Sequence, residues 1–243
     1  MAVAKRAPRG VFVTATDTGI GKTTVGAALA RFLFERGLNV GVMKPVETGV
    51  DDPTRPGADA SLLAWASGTT LTEEKFAPYR LRAPMAPSLA AEKEGLFLDL
   101  FGVAEIARGL HEECDFLIVE GAGGLMTPVA GGLLVADLAK AIELPLLVVS
   151  SPRLGTLNHT LMTVYTARQM ELPVAGLIVN GLAERPSEAE AEAPHALASL
   201  SSADLLGVLP YLEGDDKSKI VALARAIGQL QTLPWLMNGL GLG

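Results

Sequence analysis

The 243-residue chain is short of cysteine, of basic charge and of long apolar runs, and each shortage excludes a class of protein. Its one cysteine, Cys114, cannot form an intrachain disulfide, so we expect a reducing, cytoplasmic compartment and no secreted disulfide scaffold. Acidic residues outnumber basic ones by 27 to 20, whereas a nucleic-acid-binding surface usually needs a basic patch. No run approaches the roughly 20 apolar residues of a membrane span. The sequence therefore predicts neither a nucleic-acid partner nor a membrane partner.

The start of the chain and its overall composition predict one globular unit. Residues 1–9 are basic, and the apolar segment 11–13 after them is too short for the core of a secretion signal. A hydrophobic fraction of 49% with 19% charged residues is typical of a folded domain. Because α/β proteins of this length often form one core, and no repeat or linker divides the chain, we expect a single domain over residues 1–243.

Short apolar runs alternate with longer helical patterns along the chain. The apolar runs predict strands at 10–15, 39–46, 115–124, 144–151, 172–180 and 203–212. The helical patterns cover 22–36, 58–67, 98–113, 134–143, 156–171, 187–200 and 217–230, and Gly37 is expected to end the first helix. This alternation indicates a doubly wound α/β fold, with a mainly parallel sheet and helices on both faces. Ligands bind such sheets at the carboxyl ends of the strands.

The segment TATDTGIGKTT, residues 14–24, joins the first predicted strand to the first predicted helix. Its Gly21-Lys22-Thr23 core matches the end of the pattern G-x-x-x-x-G-K-[ST]. In that loop, backbone N–H groups and the lysine hold phosphates while the hydroxyl holds Mg²⁺. Ala15 replaces the first glycine, a change that the loop tolerates if φ is negative there. A glycine turn that merely caps a helix is the alternative, but the spacing and the strand-to-helix context favour a P-loop NTPase-like phosphate site.

Three charged residues lie where ligands are expected. Lys44 ends the second predicted strand, where it can neutralise a transferring phosphoryl group or simply be solvated. Asp59 begins a helical run, and a helix N-cap and a Mg²⁺ ligand fit its position equally well. Glu120 ends an apolar strand, where a buried carboxylate is costly without a positive partner, and Mg²⁺ at the phosphate loop is the natural one. Thr23, Asp59 and Glu120 would then supply three oxygen ligands.

Taken together, the stretches TATDTGIGKT, MKPVETG, ADA and VEGAGGLMTPV resemble those of the dethiobiotin synthetases of biotin biosynthesis. RLGTLNHT, GLIVNG and GVLPYL extend the resemblance over about residues 10–212. It implies a homodimeric ligase that converts 7,8-diaminopelargonate, CO₂ and ATP into dethiobiotin, ADP and phosphate, with Mg²⁺ as the metal. The implied intermediates are a carbamate and a carbamic–phosphoric anhydride.

The resemblance also implies roles for individual residues. The implied catalytic residues are Lys44, Lys22 and Thr18, and the implied metal ligands are Thr23, Asp59 and Glu120. The implied substrate contacts are Thr48, Lys44, Gly155, Thr156, Leu157 and Asn158, of which the last four would receive the distant carboxylate across the dimer interface. The implied ATP contacts are Gly19, Ile20, Gly21, Lys22, Thr23, Thr24, Asp59, Glu120, Gly121, Ala122, Gly123, Asn180, Gly181, Leu209, Pro210 and Tyr211. Gly19 stands where a glutamate is common in the family.

Other nucleotide-binding proteins fit the sequence less well. The ATP-dependent amidating domain of corrinoid biosynthesis shares the loop, but it normally accompanies a glutaminase domain whose nucleophilic cysteine Cys114 does not match. A partner-responsive nucleotide switch is expected to carry a second lysine at the start of the loop, where Ala15 and Thr16 stand. A relative without catalysis is disfavoured by the charged residues above. Residues 213–243 have no counterpart in the resemblance, and their apolar end, TLPWLMNGLGLG, could pack on the core or on a partner.

Overall fold

The computed structural model describes residues 9–243, so most of the basic segment 1–9 lies outside the described residues. The strands are β1 (Gly10–Ala15), β2 (Val40–Met43), β3 (Val46–Thr48), β4 (Tyr79–Leu81), β5 (Phe116–Glu120), β6 (Pro128–Ala130), β7 (Leu133–Leu134), β8 (Leu146–Ser150), β9 (Val174–Leu182) and β10 (Leu205–Pro210). The helices are α1 (Lys22–Phe34), α2 (Ala58–Ser67), α3 (Glu73–Phe76), α4 (Pro87–Glu94), α5 (Leu100–Glu113), α6 (Val135–Ile142), α7 (Thr156–Gln169), α8 (Glu188–Leu200), α9 (Asp216–Gly228) and α10 (Leu233–Gly239).

A six-stranded parallel sheet in the order β10-β9-β8-β1-β5-β2 forms the centre of the fold. Its strands are fully buried at the centre because both faces are covered by helices. One apolar cluster joins the sheet to α1, α2, α9 and α10, and the other joins it to α4, α5, α6, α7 and α8. The predicted doubly wound architecture is confirmed.

The first helix ends as its sequence predicts. Gly37 has a φ of 84°, its N–H donates to the Phe34 carbonyl, and the Leu38 N–H donates to the Leu33 carbonyl. These bonds define a Schellman motif, in which a left-handed glycine satisfies the last carbonyls of a helix. Gly37 is therefore the residue that turns the chain from α1 toward β2.

The predicted second strand, 39–46, is wrong at its carboxyl end. The sheet pairing stops at Met43, and the Lys44 N–H donates to the Phe76 carbonyl instead of continuing the ladder. Pro45 has no N–H to offer a ladder, so the chain leaves the sheet there. β3 then pairs in parallel with β4 in a separate two-stranded sheet. The helices α3, α4 and α10 and the β6–β7 pair were likewise not predicted.

The strand register brings the ends of β1, β2 and β5 to one level. Met43 pairs with Val119, and Val13 pairs with Glu120. In a parallel sheet the carboxyl ends lie at the same edge, so Lys44, Glu120 and the loop after Ala15 face one region.

The carboxyl-terminal segment packs on the core. Leu236 and Leu240 are buried in the cluster that contains α1 and α9. The Thr232 hydroxyl donates to the Leu206 carbonyl at 2.6 Å, which fixes the start of α10 against β10. Between residues 9 and 243, no helix combines the length and apolarity needed to cross a membrane.

Shortening Leu236 to alanine tests this packing. Because its side chain is fully buried, Leu236→Ala should lower the free energy of unfolding by about 2–5 kcal/mol, whereas Trp235→Ala, at an exposed neighbour, should change it by only about 0.5 kcal/mol. Denaturant unfolding of both variants measures the difference. Equal effects would show that α10 does not pack on the core in solution.

Candidate active site

The loop between β1 and α1 has the conformation of a phosphate cradle. Gly19 and Gly21 have φ values of 75° and 97°, and Gly21 is the residue that precedes the helix. Ala15 is the buried last residue of β1 and is not among the residues with positive φ, so the backbone condition for alanine at this position is met. The Lys22 ammonium folds back over the loop and donates to the Asp17 carbonyl at 3.2 Å. The helix N-terminus and this ammonium together favour an anion.

A side chain from a distant strand supports the loop. The Asn180 amide donates to the Ile20 carbonyl at 3.0 Å, which ties the end of β9 to the phosphate loop. A Cβ atom at Gly21 would lie 2.3 Å from the Asn180 amide nitrogen. Glycine is therefore required at position 21 both by the backbone conformation and by this close approach.

Lys44 lies between two carboxylates. Its ammonium donates to Glu120 Oε1 at 2.5 Å and to Asp59 Oδ2 at 2.9 Å. Glu120 and Lys44 are buried, with exposed side-chain fractions of 0% and 4%, while Asp59 is 41% exposed. The solvated reading of Lys44 is therefore wrong, because the ammonium is held inside the site.

Burial and charge act in opposite directions on the two lysines. Burial lowers the pKa of Lys22 below its ordinary value. Burial also acts to lower the pKa of Lys44, but the carboxylates of Glu120 and Asp59 outweigh it and raise that pKa above its ordinary value. For Asp59, burial opposes ionisation, yet the neighbouring Lys44 ammonium lowers the pKa of the carboxyl. Lys44 is therefore a fixed positive charge at neutral pH.

Asp59 does not cap its own helix. It is the second residue of α2, and the residue at the N-cap position is Gly57, which supplies no side-chain bond. Of the two readings that the sequence left open, the N-cap is wrong.

The chemistry of the oxygen atoms around Lys44 suits a hard divalent cation. The Thr23 hydroxyl donates to Glu120 Oε1 at 2.8 Å, and Glu120 Oε2 is buried without a hydrogen-bond partner among residues 9–243. Carboxylate and hydroxyl oxygens are the ligands that Mg²⁺ takes from proteins. Within the described chain, no three His, Cys, Asp or Glu side chains could hold a metal by themselves.

Two cavities adjoin at this site. The smaller, of about 380 Å³, contains the phosphate loop, Lys44, Asp59 and Glu120. The larger, of about 900 Å³, lies between the loop after β5, the start of α4 and the side of α7. The residues that line both cavities are Thr18, Thr48, Ala122 and Gly123. A group bound in one cavity can therefore meet a group bound in the other.

The structure brings most of the predicted site residues together. Those that line the smaller cavity are Thr18, Gly19, Gly21, Lys22, Thr23, Thr24, Lys44, Thr48, Asp59, Glu120, Ala122 and Gly123. Ile20 faces Asn180 through its carbonyl, and Gly121 packs beside Phe12. Asn180, Gly181, Leu209, Pro210 and Tyr211 lie at the carboxyl ends of β9 and β10, outside the residues that line this cavity.

The remaining predicted substrate contacts lie apart from the cavities of the same chain. Gly155 is the N-cap of α7, with a φ of 96°, and Thr156, Leu157 and Asn158 form its first turn. These four residues are absent from the described linings of both cavities, but the next turns of α7 contribute His159 and Met162 to the larger one.

Sequence reasoning missed several residues of the site. Glu47 and Asp216 line the smaller cavity, while Met85, Met126 and Thr163 line the larger one. Glu47 stands inside the MKPVETG stretch, so its position was a usable signal. Met126 likewise stands inside the VEGAGGLMTPV stretch, whereas Met85, Thr163 and Asp216 come from segments with no motif of their own.

Comparison with known proteins identifies the family. A family profile described as an AAA domain matches residues 9–218. The chain is 38% identical over 234 residues to the ATP-dependent dethiobiotin synthetase BioD of Bacillus subtilis strain 168, covering 96% of this chain and 100% of that protein. It is 41% identical over 206 residues to the protein of the same name in Bacillus cereus strain B4264, covering 85% of each.

The chain belongs to the dethiobiotin synthetase family. Among solved structures, the septum site-determining protein MinD of Pyrococcus horikoshii OT3, complexed with Mg-ADP, is similar with a TM-score of 0.56 at 21% identity, covering 96% of this chain and 93% of that one. This likeness supports the P-loop NTPase-like fold of this dethiobiotin synthetase family member and nothing further.

Replacing Gly21 by alanine tests the loop geometry in this family member. A left-handed alanine costs on the order of 1–3 kcal/mol, and its methyl group would also displace Asn180, so Gly21→Ala should lower the free energy of unfolding by at least that much. Gly109→Ala is the control: Gly109 lies inside α5 with open space around its Cβ position, and alanine there should stabilise by roughly 0.5–1 kcal/mol. Unfolding curves that rank the two variants in the opposite order would refute the assigned loop conformation.

Proposed function

We propose that this chain, as a single domain, is an ATP-dependent dethiobiotin synthetase that closes 7,8-diaminopelargonate and CO₂ into dethiobiotin, with release of ADP and phosphate. The observation that carries the proposal is the junction of the two cavities at Thr18, Thr48, Ala122 and Gly123. A phosphoryl donor in the smaller cavity and an amine-bearing substrate in the larger one would react at that junction. Membership of the family supports the same reaction.

The smaller cavity provides the groups that an ATP triphosphate requires. The Gly19–Thr24 backbone and the Lys22 ammonium bind the phosphates, because loop N–H groups and a buried cation replace the water that the phosphates lose. Asn180, Gly181 and the segment Leu209–Tyr211, at the ends of β9 and β10, receive the adenine. Asn180 also donates a hydrogen bond to the phosphate loop, so the residue assigned to the adenine is joined directly to the loop that binds the phosphates.

Mg²⁺ is the metal that we assign to Thr23, Asp59 and Glu120. Three observations support the assignment: Glu120 Oε2 has no partner among residues 9–243, Asp59 and Glu120 both contact Lys44, and the Thr23 hydroxyl is bonded to Glu120. When bound with ATP, the ion neutralises phosphate charge. The three side chains would fix its position beside the first turn of α1.

The proposed reaction proceeds through two acyl intermediates. One amine of the substrate adds to CO₂ and loses a proton, which gives a carbamate. A carbamate oxygen then attacks the γ-phosphorus of ATP and expels ADP, forming a carbamic–phosphoric anhydride. The second amine then attacks the carbonyl carbon and loses a proton, phosphate leaves, and the cyclic urea closes.

Lys44, Lys22 and Thr18 stabilise negative charge during these steps. Lys44 is a fixed cation in the smaller cavity, so it can stabilise the carbamate and the transferring oxygens without giving up its proton. Lys22 binds the outer phosphates of ATP, and the Thr18 and Thr48 hydroxyls lie where they can hydrogen-bond the carbamate and the amine. Positioning of the two reactants supplies the rest of the rate enhancement.

The larger cavity suits the hydrocarbon chain of the substrate. Its walls include the apolar side chains of Met85, Leu125, Met126 and Met162. A flexible apolar chain gains free energy by leaving water for such a surface. The amines would then lie at the polar junction and the chain would extend toward α7.

The distant carboxylate of the substrate is assigned to Gly155–Asn158 of a second copy. The start of a helix favours an anion, and these residues do not line the cavities of their own chain. Leu154 and Tyr165, at the start and side of α7, are large apolar side chains left exposed at 92% and 64%, as expected of a surface that a second copy covers. We therefore assign a homodimer, and the single cysteine supports a reducing cytoplasm.

ADP release from the purified protein tests the activity. With Mg-ATP, release should require both 7,8-diaminopelargonate and bicarbonate, and mass spectrometry should detect dethiobiotin. Lys44→Gln should lower kcat at least ~100-fold because a charge-stabilising group is lost, while Lys140→Gln, at an exposed lysine, should not change it. Circular dichroism checks the fold, since the change leaves Glu120 buried without its cation. ADP release that ignores both substrates would instead indicate a partner-stimulated ATPase.

The mass in solution tests the dimer. Sedimentation velocity should give about twice the 25.3 kDa chain mass. Leu154→Asp with Tyr165→Asp should shift the protein to the monomer, because two charges would have to be buried at the interface. Phe97→Asp, at an exposed phenylalanine outside α7, should leave the mass unchanged. A wild-type monomer at micromolar concentration would contradict the assigned interface.

A further inference from the structure

Glu47 caps a helix to which it does not belong. It lies in β3 with an exposed fraction of 5%. Its Oε1 accepts a hydrogen bond from the Asp59 N–H at 2.8 Å, and its Oε2 accepts one from the Ala60 N–H at 3.2 Å. Both donors are in the first turn of α2, where the helix dipole favours a negative charge. The carboxylate thus takes the place of the N-cap side chain that α2 lacks.

Gly57 leaves the space in which this carboxylate lies. A Cβ atom on Gly57 would be 2.3 Å from Glu47 Oε1 and 2.8 Å from Oε2. The backbone of Gly57 is extended, with a φ of −70°, so its conformation does not require glycine. Glycine is therefore required at position 57 only because any side chain there would collide with the Glu47 carboxylate.

The capping bonds connect Glu47 to the ionic groups of the site. Asp59 is bonded to Glu47 through its backbone N–H, and its own carboxylate contacts the Lys44 ammonium at 2.9 Å. Lys44 in turn contacts Glu120, which accepts from the Thr23 hydroxyl. Burial raises the pKa of the Glu47 carboxyl, and the bonds from Asp59 and Ala60 oppose that rise.

The geometry points to Glu47 as a positioning residue of the proposed reaction: it holds the first turn of α2 so that the half-exposed Asp59 carboxylate is directed at Lys44 and at the magnesium–nucleotide complex. This role rests on the proposed function. Glu47 makes no hydrogen bond to Lys44 or Glu120 within residues 9–243, so its bonded connection to them passes through Asp59. Its charge also acts on Lys44 directly, which is why a variant that leaves every charge in place is needed beside Glu47→Gln. Partners that orient a metal ligand typically change metal affinity or activity about 10–100-fold when they are removed.

The matched substitutions are Glu47→Gln and Glu190→Gln. Glutamine keeps the volume but has one acceptor oxygen for two N–H groups. Glu190 is also a capping carboxylate, bonded to the N–H of Ser187 at the N-cap of α8, and it is not among the residues that line either cavity. Thermal unfolding of both variants measures the ordinary cost of weakening a helix cap.

Calorimetric binding of ATP, with a magnesium series and with EDTA, is the decisive measurement. Glu47→Gln should raise the magnesium concentration for half-maximal binding about 10-fold or more and leave metal-free ATP binding within about 2-fold of wild type. The same variant should lower kcat more than it raises KM for the diamine. Glu190→Gln should change none of these. Equal magnesium dependence in wild type and Glu47→Gln would overturn the positioning role.

Gly57→Ala provides an independent test in case Glu47→Gln does not fold. Its methyl group would push the Glu47 carboxylate off the helix without changing any charge, so it should shift the magnesium dependence in the same direction. The double variant should be no worse than the more affected single one, because both changes break the same contact. Full additivity of the two effects would contradict the inference.

The binding measurement separates this inference from the proposed reaction. A wild-type protein that forms no dethiobiotin would refute the function, while the magnesium shift in ATP binding would still be observable. A wild-type protein that forms dethiobiotin, with Glu47→Gln and Gly57→Ala retaining its magnesium dependence, would keep the function and remove the role of Glu47.

Discussion

The contact between Lys44 and Glu120 is the interaction on which the arrangement of the site depends. Both charges are almost completely withdrawn from water, and an isolated buried carboxylate or ammonium would cost several kcal/mol. Each charge is therefore tolerable only while the other stays in place, and that requires β2 and β5 to end at the same level. The register that pairs Met43 with Val119 meets this requirement. Asp59 adds the second carboxylate around Lys44, so α2 must also begin beside the sheet edge.

The strand order of the parallel sheet brings the phosphate loop to the same edge as these charged residues. β1 lies between β8 and β5: the connection after β1 leads to β2 on the β5 side, whereas the connection after β5 leads to β8 on the opposite side of β1. A crevice opens where the connections diverge, and the phosphate loop follows β1 at that point. Asn180, at the end of β9 on the other side of β1, bonds to the loop from across the crevice. The phosphate loop is therefore supported by a strand that is far from it in sequence but close to it in the sheet.

The site residues that could be predicted from the sequence are those whose side-chain chemistry and neighbouring residues both point to the same role. The apolar strand before Glu120 and the glycine–lysine core at Gly21 and Lys22 each carry a signal within a few residues. The two roles open to Asp59 produce the same local pattern, and the N-cap is excluded only by where α2 begins in the structure, with Gly57 at its N-cap position. Glu47 was missed because its partner lies 12 residues away and depends on the empty space at Gly57. The short elements β3, β4 and α3 contain too few residues for a periodic signal.

The short segments that show no strand or helix periodicity in the sequence also form much of the larger cavity. Thr48 is in β3, residues 84–87 connect β4 to α4, and residues 125–128 lead into β6. The larger cavity is therefore lined mainly by segments inserted between the strands of the six-stranded sheet. The sheet and the phosphate loop are common to proteins with unrelated activities, and they place a nucleotide without choosing its acceptor. Selectivity for the molecule that accepts the phosphoryl group depends on the inserted segments, which place apolar side chains beside Thr18 and Gly123. Substitutions in these segments should therefore change which amine substrate is accepted before they change nucleotide binding.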